Sequence, residues 1–191
     1  MKSKDLLEQL SAIADNEERN WLITQSLLDT LPQDLTSLVW AASIPHWFNT
    51  QILTALRPEL ADKVELLYYQ LQSLPFVEPY AQRGHNIHEL TRQLMLRKLW
   101  NERPQEYVLL SKRVSDYLSS QKQDSEIAIE YFYNLLVVDS QKANRLLLKH
   151  TVRQDSSLYR DYSLDAYKKM ILEHVNAGRQ VEKLSQLGKK G

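Results

Sequence analysis

Apolar residues recur along this chain at spacings of three and four, the pattern of helices that bury one face. Leu6, Leu7, Leu10, Ile13 and Ala14 open the series, and the acidic stretch Asp15-Asn16-Glu17-Glu18 interrupts it. A second helix carries Trp21, Leu22, Leu27 and Leu28 up to Pro32. Leu35, Leu38, Val39, Trp40, Ala41, Ala42 and Ile44 form a denser third, which Pro45 stops because its ring and missing N–H disfavour continuation. Asn49 or Thr50 can cap the next, which holds Ile52, Leu53 and Leu56 before Pro58. Leu60, Val64, Leu67, Tyr68 and Leu71 then share one clean stripe.

From residue 75 the period changes. Pro75-Phe-Val-Glu-Pro-Tyr80 is short, aromatic and β-branched, Gly84 sits in a polar turn, and His85 to His88 can return as a second strand. Helical spacing resumes from Glu89 to Trp100 with Leu90, Leu94, Leu96 and Leu99. Three helices, a hairpin and a helix is the order of a winged helix, a helix-turn-helix variant.

The remainder reads as helices only. Pro104 suits a helix start, with Tyr107, Leu110, Val114, Tyr117 and Leu118 on its buried face. Ser119 to Asp124 is the linker to a helix lined by Ile127, Tyr131, Leu135 and Val138 and widened by Ala128, Phe132 and Leu136. Asp139 or Ser140 can cap a helix with Ala143, Leu146 and Leu147, and Ser163 one with Leu164, Tyr167, Ile171, Val175 and Leu184. The predicted fold is mainly α. N-terminal helices (1–33) lead into a winged-helix-like domain (34–102). Antiparallel helical hairpins (103–187) resemble the start of a TPR-like solenoid, and a basic tail follows (188–191).

Composition narrows the function. The 24 basic and 24 acidic side chains cancel, so no net field draws the protein to nucleic acid or an anionic membrane. Absence of cysteine excludes disulfides, thiolate nucleophiles and sulfur-ligated metals. No apolar run reaches the ~18 residues of a membrane span, and the first residues lack a signal peptide's apolar stretch. A soluble, cytoplasmic protein without a membrane partner is expected.

Within residues 35–139, several short segments carry more. They are Ala42-Ser-Ile-Pro-His-Trp-Phe48, Leu74-Pro-Phe-Val-Glu78, Asn86-Ile-His-Glu-Leu-Thr-Arg92 and Ile129-Glu-Tyr-Phe-Tyr-Asn-Leu-Leu136. Together they resemble the winged helix and following helix of STAND-type signalling NTPases, multidomain ATPases related to the NB-ARC and NACHT proteins. Asn86 to Arg92 is similar to the family's Met-His-Asp motif with its trailing arginine. Ile87 and Glu89 stand where the family commonly has methionine and aspartate. The resemblance implies that His88 contacts the β-phosphate of ADP and holds a closed state, an imidazole N–H being a suitable donor.

The chain itself has no Gly-x-x-x-x-Gly-Lys-Ser/Thr loop, and glycines at 84, 178, 188 and 191 cannot build one. No cofactor of its own is therefore expected; a nucleotide would have to be held by a separate nucleotide-binding domain. Tyr131, Phe132 and Tyr133 wrap more than half a helix, so Tyr131 or Tyr133 is expected to face a partner, as is Arg92. Trp40, Trp47, Phe48, Tyr68, Tyr69, Phe76 and Trp100 are expected in the core.

Other chemistry finds little footing. His85 and His88 are three apart on a strand and point to opposite faces, which argues against a metal pair. His46, His150 and His174 are isolated, and no serine lies in a nucleophile elbow. No catalytic residue is expected. The sequence thus points to a non-catalytic regulatory module that binds a protein partner or the missing nucleotide-binding domain. The rival is a winged-helix DNA-binding regulator. Its recognition helix would offer Glu59, Asp62 and Glu65 against Lys63, a poor match to phosphates, although Arg83, Arg92, Arg97 and Lys98 make the wing side basic.

Overall fold

The computed structural model describes residues 13–122, 124–152 and 160–179. The stripe from Leu6 to Leu10, Leu184 and the tail 188–191 lie outside the described residues. Within them the chain is mainly helical, with one small two-stranded antiparallel sheet. It divides into two compact units, Met1–Leu99 and Trp100–Gly191.

In the first unit, α1 (Asn16–Leu28) begins where the acidic stretch was read as an interruption. Asp15 is its N-cap, accepting from the Glu17 and Glu18 amides at 2.7 and 3.0 Å, and the two glutamates favour the positive end of the helix dipole. The acids start a helix rather than break one. Trp21 of α1 packs at 5.9 Å on Trp40 of α2 (Gln33–Ala42), and Thr36 donates to the Leu28 carbonyl at 3.2 Å. The N-terminal helix thus belongs to the first unit instead of standing apart from it.

Asn49 caps α3 (Thr50–Leu56) by accepting from the Ile52 amide at 3.0 Å. The single stripe read from Leu60 to Leu71 divides into a 3-10 turn, Pro58–Lys63, and α4 (Val64–Gln72). Helices α2, α3 and α4 pack on one another around Leu38, Val39, Ile52, Leu53, Leu56 and Leu71, all fully buried. Each such side chain contributes roughly 1.5–3 kcal/mol of transfer free energy against the entropy of ordering it.

Strands β1 (Val77–Tyr80) and β2 (Gly84–Ile87) form the hairpin, with Val77 opposite Ile87 and Tyr80 opposite Gly84. Gln82 takes a left-handed φ of 63° in the connecting turn. Phe76 and Ile87 are buried at the open end, and α5 (Glu89–Glu102) follows at once.

The second unit is built on α6 (Pro104–Ser119), α7 (Ser125–Val138), α8 (Ser140–Val152) and α9 (Arg160–Asn176). Pro104 starts α6, Asp124 caps α7 through the Ile127 amide at 2.9 Å, and Asp139 accepts from the Lys142 amide at 2.9 Å at the start of α8. Because α9 already includes Arg160, Ser163 lies inside it and does not cap it. Helix α7 packs against α6, α8 and α9 together, so every residue from Glu130 to Leu136 is buried. Among the described residues no helix is long and apolar enough to cross a membrane.

Candidate functional site

The first unit concentrates its polar chemistry where the hairpin meets the helices. Phe48, in the segment between α2 and α3, exchanges two backbone bonds with His85 of β2, at 2.7 and 2.9 Å. A lone bridge thereby ties the hairpin to the helical layer. Gly84 makes it possible: its φ is +114°, and a Cβ there would collide with the Phe48 carbonyl oxygen. Beside the bridge, Tyr68 of α4 reaches the His85 Nδ1 at 2.7 Å, and its ring meets Phe48 and His85 edge-on. Burial lowers the pKa of His85 and raises that of Tyr68, so both favour their neutral forms.

Arg92 and His88 part company here. Arg92 on α5 is 1% exposed, donating to the Pro45 carbonyl at 3.2 Å and the Ile44 carbonyl at 3.1 Å. These carbonyls lie just beyond the end of α2, where the chain has left the helical ladder, and the guanidinium fork satisfies both at once. Expected at a partner surface, Arg92 instead closes the core of its own unit. His88 is exposed. Its amide donates to the Phe76 carbonyl at 2.8 Å and its carbonyl accepts from the Arg92 amide at 2.9 Å, which fixes the backbone while leaving the ring at the hairpin mouth.

The other cations read as the basic wing side also have partners within the unit. Arg83 sits over the Trp47 ring at 5.1 Å, Lys98 over the Trp21 ring at 5.4 Å, and Arg97 pairs with Glu17 at 2.5 Å. Glu17 neutralises Arg97, whereas Arg83 and Lys98 keep their charge against aromatic faces.

The outer side of α4 carries the feature that the sequence reading missed. Tyr69, expected in the core, is 73% exposed, and Leu66 is 61% exposed. Residues three apart on a helix share a side, and Asp62 and Glu65 are exposed beside them. Lys63, the cation of this segment, is ion-paired with Asp34. The signal was present: Leu66 and Tyr69 both fall off the stripe Val64, Leu67, Tyr68 and Leu71 that faces inward.

In the second unit Tyr131 and Tyr133 do not face a partner. They are 8% and 1% exposed, because α7 is enclosed by three helices. Tyr133 is part of a buried polar cluster that no periodicity announced. Its hydroxyl donates to Glu173 at 2.7 Å, its ring stacks on His174 at 4.2 Å, and Arg179 donates to the hydroxyls of Tyr107 and Tyr133 at 2.9 and 3.1 Å. Arg179 reaches the cluster because α9 ends in a Schellman turn. The Arg179 amide bonds the His174 carbonyl and the Gly178 amide the Val175 carbonyl, with Gly178 at φ +68°. The cluster is internal, with two tyrosine hydroxyls accepting from one guanidinium.

Among the described residues no group of three or more acidic or histidine side chains could hold a metal ion. No family model matches the chain, and no curated protein or solved structure matches it significantly.

Proposed function

We propose that the first unit is a winged-helix-like module acting through protein contacts, not by catalysis or base reading, and that the second is a helical scaffold like the start of a TPR-like solenoid. The observation that carries this reading is the solvent side of α4, the helix in the recognition position. It presents Leu66 and Tyr69 among Asp62 and Glu65, with no arginine on the helix. A helix that reads DNA must neutralise phosphates and offer donors to base edges, and this one would repel them. The order of helices and hairpin, and the Phe48–His85 bridge from the helical layer to the hairpin, support the winged-helix part.

Within the same reading, the resemblance to STAND NTPases makes the unit a coupling element for a nucleotide held by a separate domain. The exposed His88 ring at the hairpin mouth supports this assignment. Titration of the full chain with ADP and ATP by calorimetry, and with random duplex DNA at ~0.15 M salt, tests the reading. Neither nucleotide should bind at micromolar concentration, and duplex binding should be weak and without sequence preference. Nanomolar, sequence-selective DNA binding would overturn it in favour of a transcriptional regulator.

A further inference from the structure

We infer that the outer face of α4 docks a basic, amphipathic helical segment of a partner protein; the inference rests on the protein-contact reading above and names the surface and its occupant. Leu66 and Tyr69, 61% and 73% exposed, stand side by side, whereas most large apolar residues of this unit are buried. A tyrosine gives much contact area for few rotatable bonds, and a leucine beside it supplies a second anchor.

Charge then selects the occupant. Asp62 on the turn before α4 and Glu65 on its first turn are exposed around the pair, while Glu59 faces Arg57 at 3.8 Å. Lys63 is held by Asp34, so the surface presents net negative charge to an incoming chain. Lysine or arginine flanking an apolar stripe complements that surface and speeds encounter, while an acidic segment or a nucleic acid is repelled. Shape selects a helix. The exposed residues Asp62, Glu65, Leu66, Tyr69 and Ser73 form a ridge at spacings of three and four, which fits the groove between side-chain rows of another helix. A contact of this size, well under the ~1,600 Å² of a standard interface, gives a transient complex.

The test uses the full chain and a designed helical peptide of about 15 residues, long enough for roughly four turns, with leucines on one face and lysines elsewhere. Its counterpart replaces each lysine by glutamate. Binding is read by fluorescence anisotropy, and folding of each variant by circular dichroism. The lysine peptide should bind, the glutamate peptide should not, and affinity should fall as salt rises from ~0.05 to ~0.5 M. The pair Leu66→Ser and Tyr69→Ser should weaken binding about tenfold or more, while Leu172→Ser, at an exposed apolar position of the second unit, should leave it unchanged.

Equal binding by the double variant, or binding of both peptides alike, would overturn the inference. So would self-association of the chain that Tyr69→Ser abolishes, since the occupant would then be a second copy. Absence of peptide binding together with absence of tight DNA binding would remove this occupant and leave the protein-contact reading standing. Sequence-selective DNA binding would remove both.

Discussion

In the first unit one buried guanidinium, Arg92, donates to two backbone carbonyls and faces Glu89 at 3.6 Å, in a core that is otherwise largely aliphatic and aromatic. In the second unit Arg179 donates to the hydroxyls of Tyr107 and Tyr133 and faces Glu173 at 3.6 Å. The two arginines are buried to the same degree, 1% and 2% exposed, and depend on different things. Carbonyls of a folded backbone cannot be removed by substitution, so Arg92 is secure once its unit has folded. Arg179 depends on side chains from three separate parts of the sequence, and each of them can be deleted. Both units have packed apolar cores, but the second adds a side-chain network whose failure leaves charge in a dry place.

The largest effect should come from breaking the packing. Phe76→Ala in the first unit removes a buried ring from the hairpin base and should cost about 3–5 kcal/mol, read as a lowered urea midpoint by tryptophan fluorescence. Glu173→Ala, which removes the carboxylate facing Arg179 and accepting from Tyr133, should cost about 2–3 kcal/mol. Glu173→Gln, which keeps an acceptor for the tyrosine, should cost only about 1 kcal/mol. If both Glu173 variants prove equally harmless in urea unfolding, the polar cluster is not what holds the second unit, and the contrast with the first disappears.

A pH titration sharpens the contrast from the other side. Burial holds His85 below its ordinary pKa, so the folded unit binds this proton less tightly than the unfolded chain. The stability carried by the neutral ring is thus full above the unfolded value of about 6.5 and is lost as pH falls through the lower folded value. Protonation would also fix a proton on Nδ1, so that the Tyr68 hydroxyl 2.7 Å away could only accept from it. The thermal midpoint should fall between about pH 7 and pH 5, and His85→Gln should flatten that slope. The smallest effect is expected at His88→Ala. Its exposed ring makes no contribution to the core, and the change in stability should stay within about 1 kcal/mol. A loss as large as that of Phe76→Ala would make His88 a structural residue and remove the support its exposure lends to a phosphate contact.

Much of the helical architecture was legible in the residues themselves. Spacing of three and four placed the helices, Pro45 and Pro104 marked a stop and a start, and Asn49 stood where a cap was needed. These features are local: a helix period or a cap is decided within a few residues of itself. The acidic stretch at residues 15–18 was also local, yet it was read by composition and not by its capping geometry, so its sign was reversed.

What the candidate surface is made of depended on which side of each helix found a neighbour. Tyr68 and Tyr69 are adjacent and chemically alike, and only the hairpin beside α4 decides that one is half-buried against His85 and the other exposed. Likewise Arg92 and Tyr133 look like surface residues in a list of types, but contacts 47 and 40 residues away enclose them. By itself the sequence determined periodicity, caps, charge balance and the absence of a phosphate loop, because each is a property of neighbours along the chain. The tertiary structure alone decided which polar groups were buried with partners and which apolar ones were left in water. Burial is a property of neighbours in space.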